Sequence, residues 1–435
     1  MERMLMEQLL KWKNNPQRKP IILKGVRQCG KTYLLREFGN TCYEDVAYYN
    51  FAGDDTAEKF FTPNPNPQRI IKTMSLARNK DIKPRKTLII LDEIQFCPPA
   101  LAALKHFRGE APEYHVAAAG SFWDIYVDPQ QEKTALPPGM VSYMTLYPLN
   151  FYEFLLAQDK PLARNLKKTP INDGRFASWA PGLKEKLLEF LVVGGMPKAV
   201  KTWVETGSIE QTEEAQQEIL DGCEVDFVKY APLKHFPKLS AIWSSIPGQL
   251  AKENRKFVFN RVKQSWRAAD LQYALEWLVK AGLVYKVEQA EKPVIPLAAS
   301  GNSNYFKLYM CDTGLLRKML KLSPGAVFDK GAAYLGLKEA LAENYALCEL
   351  MNVYGETPYF WCSGGSGKAA VDFLIREGGD IVPIEVKAGP AGHSQALTHY
   401  SNKFQPRKEI LVSPESDKPN IMPLHLICKI KEWLE

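Results

Sequence analysis

Residues 20–32 read Pro20-Ile21-Ile22-Leu23-Lys24-Gly25-Val26-Arg27-Gln28-Cys29-Gly30-Lys31-Thr32, and this stretch decides the fold. Pro20 to Lys24 is a short apolar run of the kind that forms a buried strand, and a glycine-rich turn follows it. The turn fits G-x-x-x-x-G-K-[ST]. Gly25 and Gly30 let the backbone wrap closely round an anion with its amides turned inward. A helix from Lys31 to Phe38 adds its positive N-terminal end, roughly half a charge. In that frame Lys31 holds the β and γ phosphates of a nucleotide and Thr32 ligates magnesium. Val26, Arg27, Gln28, Cys29 and Tyr33 are the remaining nucleotide-binding positions. The bland alternative is an ordinary glycine-rich turn; a strand before it and a helix after it weigh against that.

Working outward, Val46 to Phe51, Thr87 to Leu91, Tyr114 to Ala119 and Val141 to Leu146 are further short apolar runs. Runs apolar on both faces and separated by helical stretches predict a parallel sheet covered on both sides. The prolines from Pro63 to Pro67 exclude both helix and sheet there. Thr87-Leu88-Ile89-Ile90-Leu91-Asp92-Glu93 places two acidic residues at the tip of a buried strand. Asp92 there reaches magnesium through water, and Glu93 is placed to polarise an attacking water. The competing reading is a strand that merely ends in acidic residues. Ala118-Ala119-Gly120-Ser121 ends the next strand, where Ser121 would face the γ phosphate or that water; a plain turn fits the pattern nearly as well.

The chain has 435 residues, enough for about three domains at ~150 residues each. With 46% hydrophobic and 24% charged residues it is not disordered. No apolar run approaches the ~18 residues that a membrane-spanning helix needs, and the charged start lacks a signal-peptide core. The eight cysteines are scattered without zinc spacing and read as reduced thiols of a cytoplasmic protein. A net charge of +7 is a weak pointer to polyanions.

GVRQCGKT, LIILDEIQ and AAGS, in this order, resemble the prokaryotic AAA-type ATPases of the STAND-related branch. The resemblance continues through LYPLNFYEFL (Leu146 to Leu155), FLVVGGMPKAV (Phe190 to Val200) and LYMCDTGLL (Leu308 to Leu316), so it spans essentially the whole chain. It implies magnesium-dependent ATP binding and hydrolysis, with Ser121 as the sensor, and a C-terminal domain of unknown function. Many relatives carry a basic residue after the glycine corresponding to Gly139. Here it is Met140, and no arginine finger is assigned.

From Leu149 to about Lys321 the pattern is mostly helical. Within it, Ala269 to Ala281 is an amphipathic helix ended by Gly282, and Leu283 to Val287 would start a wing hairpin. The family carries a similar winged-helix-like segment. Arg255, Lys256, Arg261, Lys263 and Arg267 fall within thirteen positions and make DNA a candidate partner through its phosphates. Solvated surface charge is the competing reading, and it is favoured over base recognition because the helix offers few side chains for base edges.

Ala370 to Ile375 and Ile381 to Lys387 are apolar strands that carry Asp372, Glu385 and Lys387 in a D-x12-E-x-K spacing. The spacing is common by chance, but on a strand Glu385 and Lys387 share a face. Two carboxylates holding a divalent ion, with a lysine orienting the water, make a phosphodiester hydrolysis site. VDFLI…VPIEVKAG resembles the restriction-endonuclease-like PD-(D/E)xK superfamily. There an acidic residue on the preceding helix often completes the metal site, which implies Glu343. The alternative is a nuclease-derived fold retained for structure or DNA docking, with a Glu385–Lys387 salt bridge in place of catalysis.

The expectation is therefore an α/β chain in three parts. A P-loop ATPase domain fills 1–148, a helical region with a winged-helix-like segment at about 256–290 fills 149–330, and a nuclease-like domain fills 331–435. Site residues on carboxylates or hydroxyls (Thr32, Asp92, Glu343, Asp372, Glu385) are the candidate metal ligands, and ATP and Mg2+ are the expected cofactors.

Overall fold

Strand β1 (Ile21–Lys24) lies between two parallel neighbours, β4 (His115–Ala119) and β5 (Ser142–Thr145). Adding β2 (Asp45–Asn50) and β3 (Thr87–Asp92) gives a fully parallel sheet in the order β2-β3-β4-β1-β5. These relations come from a computed structural model. It describes residues 1–435 apart from 54, 122–138, 172, 253–254, 330–333, 364–368, 391, 415–417 and 419. The expected boundary at Gly331 lies outside the described residues.

Every residue of β3 and β4 is buried, as strands covered on both faces must be. Ile22, Ile89, Leu91, Val116 and Ala118 pack in one core with Ile70 and Met74 of helix α2 (Pro67–Ala77) and Ala100 and Leu104 of α3 (Pro98–Glu110). Helix α1 (Lys31–Cys42) packs on β2, β3 and β4, and runs four residues past the expected end at Phe38. Its approach is close: a Cβ added at Gly39 would stand 2.5 Å from a Val46 methyl. The register sets Leu23 beside Ala119 and Asn50 beside Asp92, so β1, β3 and β4 end on one edge of the sheet. Ligands of open parallel sheets bind at that carboxyl edge.

The chain divides into two compact units. The first is Glu2–Tyr147 with Lys280–Gly282; the second is Pro148–Val279 and Leu283–Glu435, with Met1. In the second unit α4 (Phe151–Gln158), α5 (Phe176–Val193), α6 (Ile209–Tyr230) and α7 (Ala268–Lys280) precede a hairpin of β6 (Val284–Ala290) and β7 (Gly301–Met310). After α8 (Thr313–Met319) and α9 (Leu335–Tyr354) come β8 (Tyr359–Cys362), β9 (Ala370–Glu377), β10 (Asp380–Val386), β11 (Ile410–Ser413) and β12 (Ile421–Pro423). They form one mixed sheet in the order β12-β11-β10-β9-β8-β6-β7. The hairpin expected after α7 is present, but it is no free-standing wing. Its β6 strand bridges to β8 at Gln289–Phe360, so the hairpin closes the edge of the C-terminal sheet.

The segments Leu149 to Leu155, Phe190 to Val200 and Asp312 to Leu316 are joined by close packing. Asp312 caps α8 at Leu315 and also accepts from the Gly195 amide at 2.6 Å. A Cβ on Gly195 would lie 2.0 Å from the Leu149 carbonyl, and one on Gly314 2.4 Å from the Val193 carbonyl. Only glycine permits such backbone-on-backbone contact. Asn150 and Glu153 form a reciprocal capping box on α4, and Glu349 accepts from the Phe151 amide at 2.7 Å.

Candidate functional site

The loop after β1 is held open by backbone conformation and tied down from outside. Gly25 has φ of 150°, Gln28 of 65° and Gly30 of 97°, and Gly30 caps α1 in the left-handed region. A Cβ on Gly25 would meet the Leu146 carbonyl at 2.2 Å. The Cys29 thiol donates to that same carbonyl at 3.3 Å, and the Arg3 guanidinium donates to Cys29 O at 2.9 Å and Tyr147 O at 2.6 Å. Lys31 is buried, and its Nζ donates to Gly25 O at 2.9 Å and Val26 O at 3.0 Å. These partners are neutral carbonyls of the loop itself, so the ammonium charge faces the cradle that the loop encloses.

Across the sheet edge, the Thr32 hydroxyl donates to Asp92 Oδ2 at 2.8 Å. The Tyr48 hydroxyl donates to the same oxygen at 2.8 Å, while Asp92 Oδ1 accepts from the Glu93 amide at 3.1 Å. The Arg36 guanidinium lies 3.8 Å from the centre of the Tyr48 ring and orients it. Glu93 sits at φ 51° and ψ 43°, a left-handed conformation that costs a non-glycine residue about 1 kcal/mol or more. That turn aims its carboxylate at β4: Oε1 accepts from Ser121 Oγ at 3.2 Å, and Oε2 from Ser121 N at 3.3 Å and Gln95 Nε2 at 2.6 Å. Thus Lys31, Thr32, Asp92, Glu93 and Ser121 meet at one edge of the sheet. Val26, Arg27, Gln28 and Cys29 lie in the loop, and Tyr33 follows on α1 with half its surface exposed. Tyr48, Gln95 and Arg3 join them without having been anticipated. Tyr48 lies on an apolar strand, where a phenol is expected as packing.

The all-oxygen pair of Thr32 and Asp92 suits a hard cation, and the loop's amides with the Lys31 ammonium suit a polyphosphate. The residues therefore fit magnesium and a nucleotide.

The second set converges differently. Glu343 on α9, Asp372 on β9 and Glu385 on β10 are all buried. Lys307 on β7 donates to Glu343 Oε1 at 2.7 Å and Asp372 Oδ1 at 3.2 Å. Arg255 places Nη1 2.6 Å from Glu343 Oε2 and 3.7 Å from Asp372 Oδ1, with Nη2 2.7 Å from Glu339. The Tyr309 hydroxyl also donates to Glu343, and the Val386 amide donates to Asp372 Oδ2 at 3.0 Å. Lys387 donates to Glu385 Oε1 at 2.6 Å, while Glu385 Oε2 is buried without a hydrogen-bond partner.

Burial by itself would raise the Glu343 carboxyl; Arg255 and Lys307 outweigh it and hold it at about 2. Burial, with the neighbouring Asp372 charge, pushes Glu385 up to about 8. Among the described residues no three His, Cys, Asp or Glu side chains are grouped to hold a metal ion. With Lys307 and Arg255 engaging Glu343 and Asp372, the cluster as built does not fit a divalent cation.

Arg255 differs from its expected place in a phosphate-contacting surface, because its guanidinium is committed to three carboxylates. Lys256 sits 3.4 Å from the Cys362 sulfur, and Arg261, Lys263 and Arg267 remain exposed. The signal for Lys307 and Tyr309 was present in Tyr305-Phe306-Lys307-Leu308-Tyr309-Met310. A lysine inside an apolar strand needs a buried partner, and Tyr309 shares its face.

Three family models match the chain: an "AAA domain" over residues 17–155, a "Domain of unknown function (DUF8612)" over 184–326 and a "Domain of unknown function (DUF4143)" over 338–432. No curated protein matches. Among solved structures, the Walker-type ATPase PABY2304 of Pyrococcus abyssi is 12% identical, with 73% of this chain and 95% of that chain covered at a TM-score of 0.46. The STAND protein PH0952 of Pyrococcus horikoshii, which carries a tetratricopeptide repeat sensor, is 12% identical over 81% of this chain and 45% of that chain, at 0.26. Drosophila ORC bound to DNA is 14% identical over 69% and 89%, also at 0.26. The AAA-domain match spans the phosphate loop, Asp92, Glu93 and Ser121, and it supports a P-loop ATPase.

Proposed function

We propose that the first unit binds and hydrolyses ATP with magnesium, and that the hydrolysis cycle controls how the second unit engages DNA. The observation that carries the ATPase reading is the convergence of the Lys31 loop, the Thr32–Asp92 pair and the Glu93–Ser121 pair on one carboxyl edge. Lys31 and the loop amides hold the phosphates. Thr32 and Asp92 would hold magnesium, which neutralises charge developing on the transferred phosphate. Glu93, kept in place by Gln95 and Ser121, accepts a proton from the attacking water.

Two variants test the assignment by separating binding from turnover. Lys31→Ala is expected to abolish binding of a fluorescent ATP analogue. Glu93→Gln is expected to retain binding while phosphate release falls by about 10²-fold or more, the range for losing a positioned base. Unchanged turnover in the Glu93 variant would sink the role given to it.

For the second unit, two readings compete: a phosphodiesterase using Asp372, Glu385 and Lys387, or a nuclease-like module that docks on DNA. The ion pairs of Lys307 and Arg255 favour the docking module, with Arg261, Lys263 and Arg267 as the exposed phosphate contacts. Incubation with single- and double-stranded DNA and RNA in Mg2+ or Mn2+ is expected to give no cleavage above background. Cleavage that disappears in Glu385→Ala would restore the phosphodiesterase. The eight cysteines, scattered without zinc spacing, suit the cytoplasm.

A further inference from the structure

The buried cluster draws acidic side chains from three different elements, Glu343 on α9, Asp372 on β9 and Glu385 on β10. Its oxygens are nevertheless already spoken for. Glu343 Oε1 accepts from Lys307 and Tyr309, and Glu343 Oε2 faces Arg255. Asp372 Oδ1 faces Lys307 and Arg255, and Asp372 Oδ2 accepts from the Val386 amide. Glu343 Oε2 and Glu385 Oε2 both lack a hydrogen bond, but Glu343 Oε2 has the Arg255 ion pair, which leaves Glu385 Oε2, on a side chain with 4% exposure. A buried carboxylate oxygen without a donor is costly, and it marks where a further ligand would be welcomed. Lys307 and Arg255 both stand between Glu343 and Asp372; the ammonium of Lys307 is the closer to Asp372 and the more buried, 2% exposed and set in β7 by the alternation of that strand.

We infer that Lys307 is a built-in counter-ion occupying the place of a divalent metal, and that its removal, with the carboxylates untouched, turns this cluster into a Mn2+ or Mg2+ site. Two physical reasons support the substitution. A divalent ion and an ammonium compete for the same two oxygens, and they repel strongly in a medium of low dielectric. Removing the ammonium leaves Glu343 and Asp372 with Arg255, itself shared with Glu339, as their remaining counter-charge, an excess of negative charge in a buried space. Carboxylate oxygens at that charge density are the ligands that hard divalent cations prefer.

The inference rests on the docking-module reading of the second unit, but the two are judged differently. That reading stands or falls on cleavage by the wild-type chain, whereas this one is read by ion binding. The test is Mn2+ titration of the full chain without nucleotide, followed by the electron paramagnetic resonance of free Mn2+. Lys307→Ala, which leaves room for a hydrated ion, is expected to bind one more equivalent of Mn2+ than wild type, at least tenfold tighter than any wild-type site. That equivalent should vanish in Lys307→Ala/Asp372→Asn and stay absent in Lys307→Arg, which keeps the charge. Wild-type Mn2+ binding that is lost on Asp372→Asn would overturn the inference. So would a folded Lys307→Ala chain with no added equivalent. Should that variant not fold in metal-free buffer, Lys307→Gln supplies the same neutralisation with nearly the original volume and carries the same two outcomes.

Discussion

At the scale of single residues, the phosphate loop shows how little freedom its chemistry leaves. Gly25 is pinned between the Leu146 carbonyl and the Cys29 sulfur, with φ at 150°. Gly25→Ala would force a Cβ to 2.2 Å from a backbone oxygen, so the loop must move. We expect nucleotide affinity to fall at least tenfold, about 1.4 kcal/mol, alongside a lower melting temperature. Gly109→Ala is the matched control: it lies in α3 with open space around its Cβ, and should be neutral or stabilising by up to ~1 kcal/mol. Equal nucleotide affinity in the two variants would remove the steric account of Gly25. Glu93 poses the complementary case. Its left-handed backbone is disfavoured locally, and it is maintained because the turn delivers its carboxylate to Ser121 and Gln95.

At the scale of elements, α9 carries two buried carboxylates, six residues apart, with opposite fates. Glu343 meets Lys307 and Arg255 and is held at about 2. Glu349 meets the Phe151 amide and, among the described residues, no cation; burial, with the nearby Glu153 charge adding to it, pushes it to about 8. A carboxyl whose folded value is raised binds a proton more tightly in the folded state. Its contribution is therefore fully present below about pH 4.5 and is lost as pH rises to about 8, with ~1.4 kcal/mol at stake per unit of difference. Glu349→Gln retains an acceptor for the Phe151 amide and removes the ionisation. We expect urea unfolding between pH 5 and 8 to show a flatter decline in stability for the variant, with the largest gain near pH 8. Asp312, raised by burial to about 6 despite its amide partners, and Glu385 leave part of the slope in place. An identical slope in wild type and variant would show that Glu349 is solvated in solution. For Glu343 the sign reverses: its contribution is present above about pH 4.5 and is lost as pH falls towards 2.

At the scale of the whole molecule, the two candidate sites were legible to different degrees. The first was written almost completely into short segments. Gly25 to Thr32 is continuous, Asp92 and Glu93 sit together at a strand end, and Ser121 ends the neighbouring strand. Parallel-sheet geometry brings such strand ends together without further instruction, so motif and fold are read at once. Its unforeseen members, Tyr48 and Arg3, act through a strand pairing and a chain-terminal contact that carry no local signature. The second site was half visible. Asp372, Glu385, Lys387 and Glu343 stood out as charges in apolar settings, but the cations that face Glu343 and Asp372, Lys307 and Arg255, lie 36 to 117 residues away along the chain. Nothing in a strand's periodicity states which lysine will face which carboxylate. By itself, the sequence determined the phosphate-binding unit, because its chemistry depends on neighbours along the chain. The closure of the β6–β7 hairpin onto the C-terminal sheet decided the rest. It carries Lys307 to Glu343 and Asp372, and a buried carboxylate takes its character from the charge that faces it.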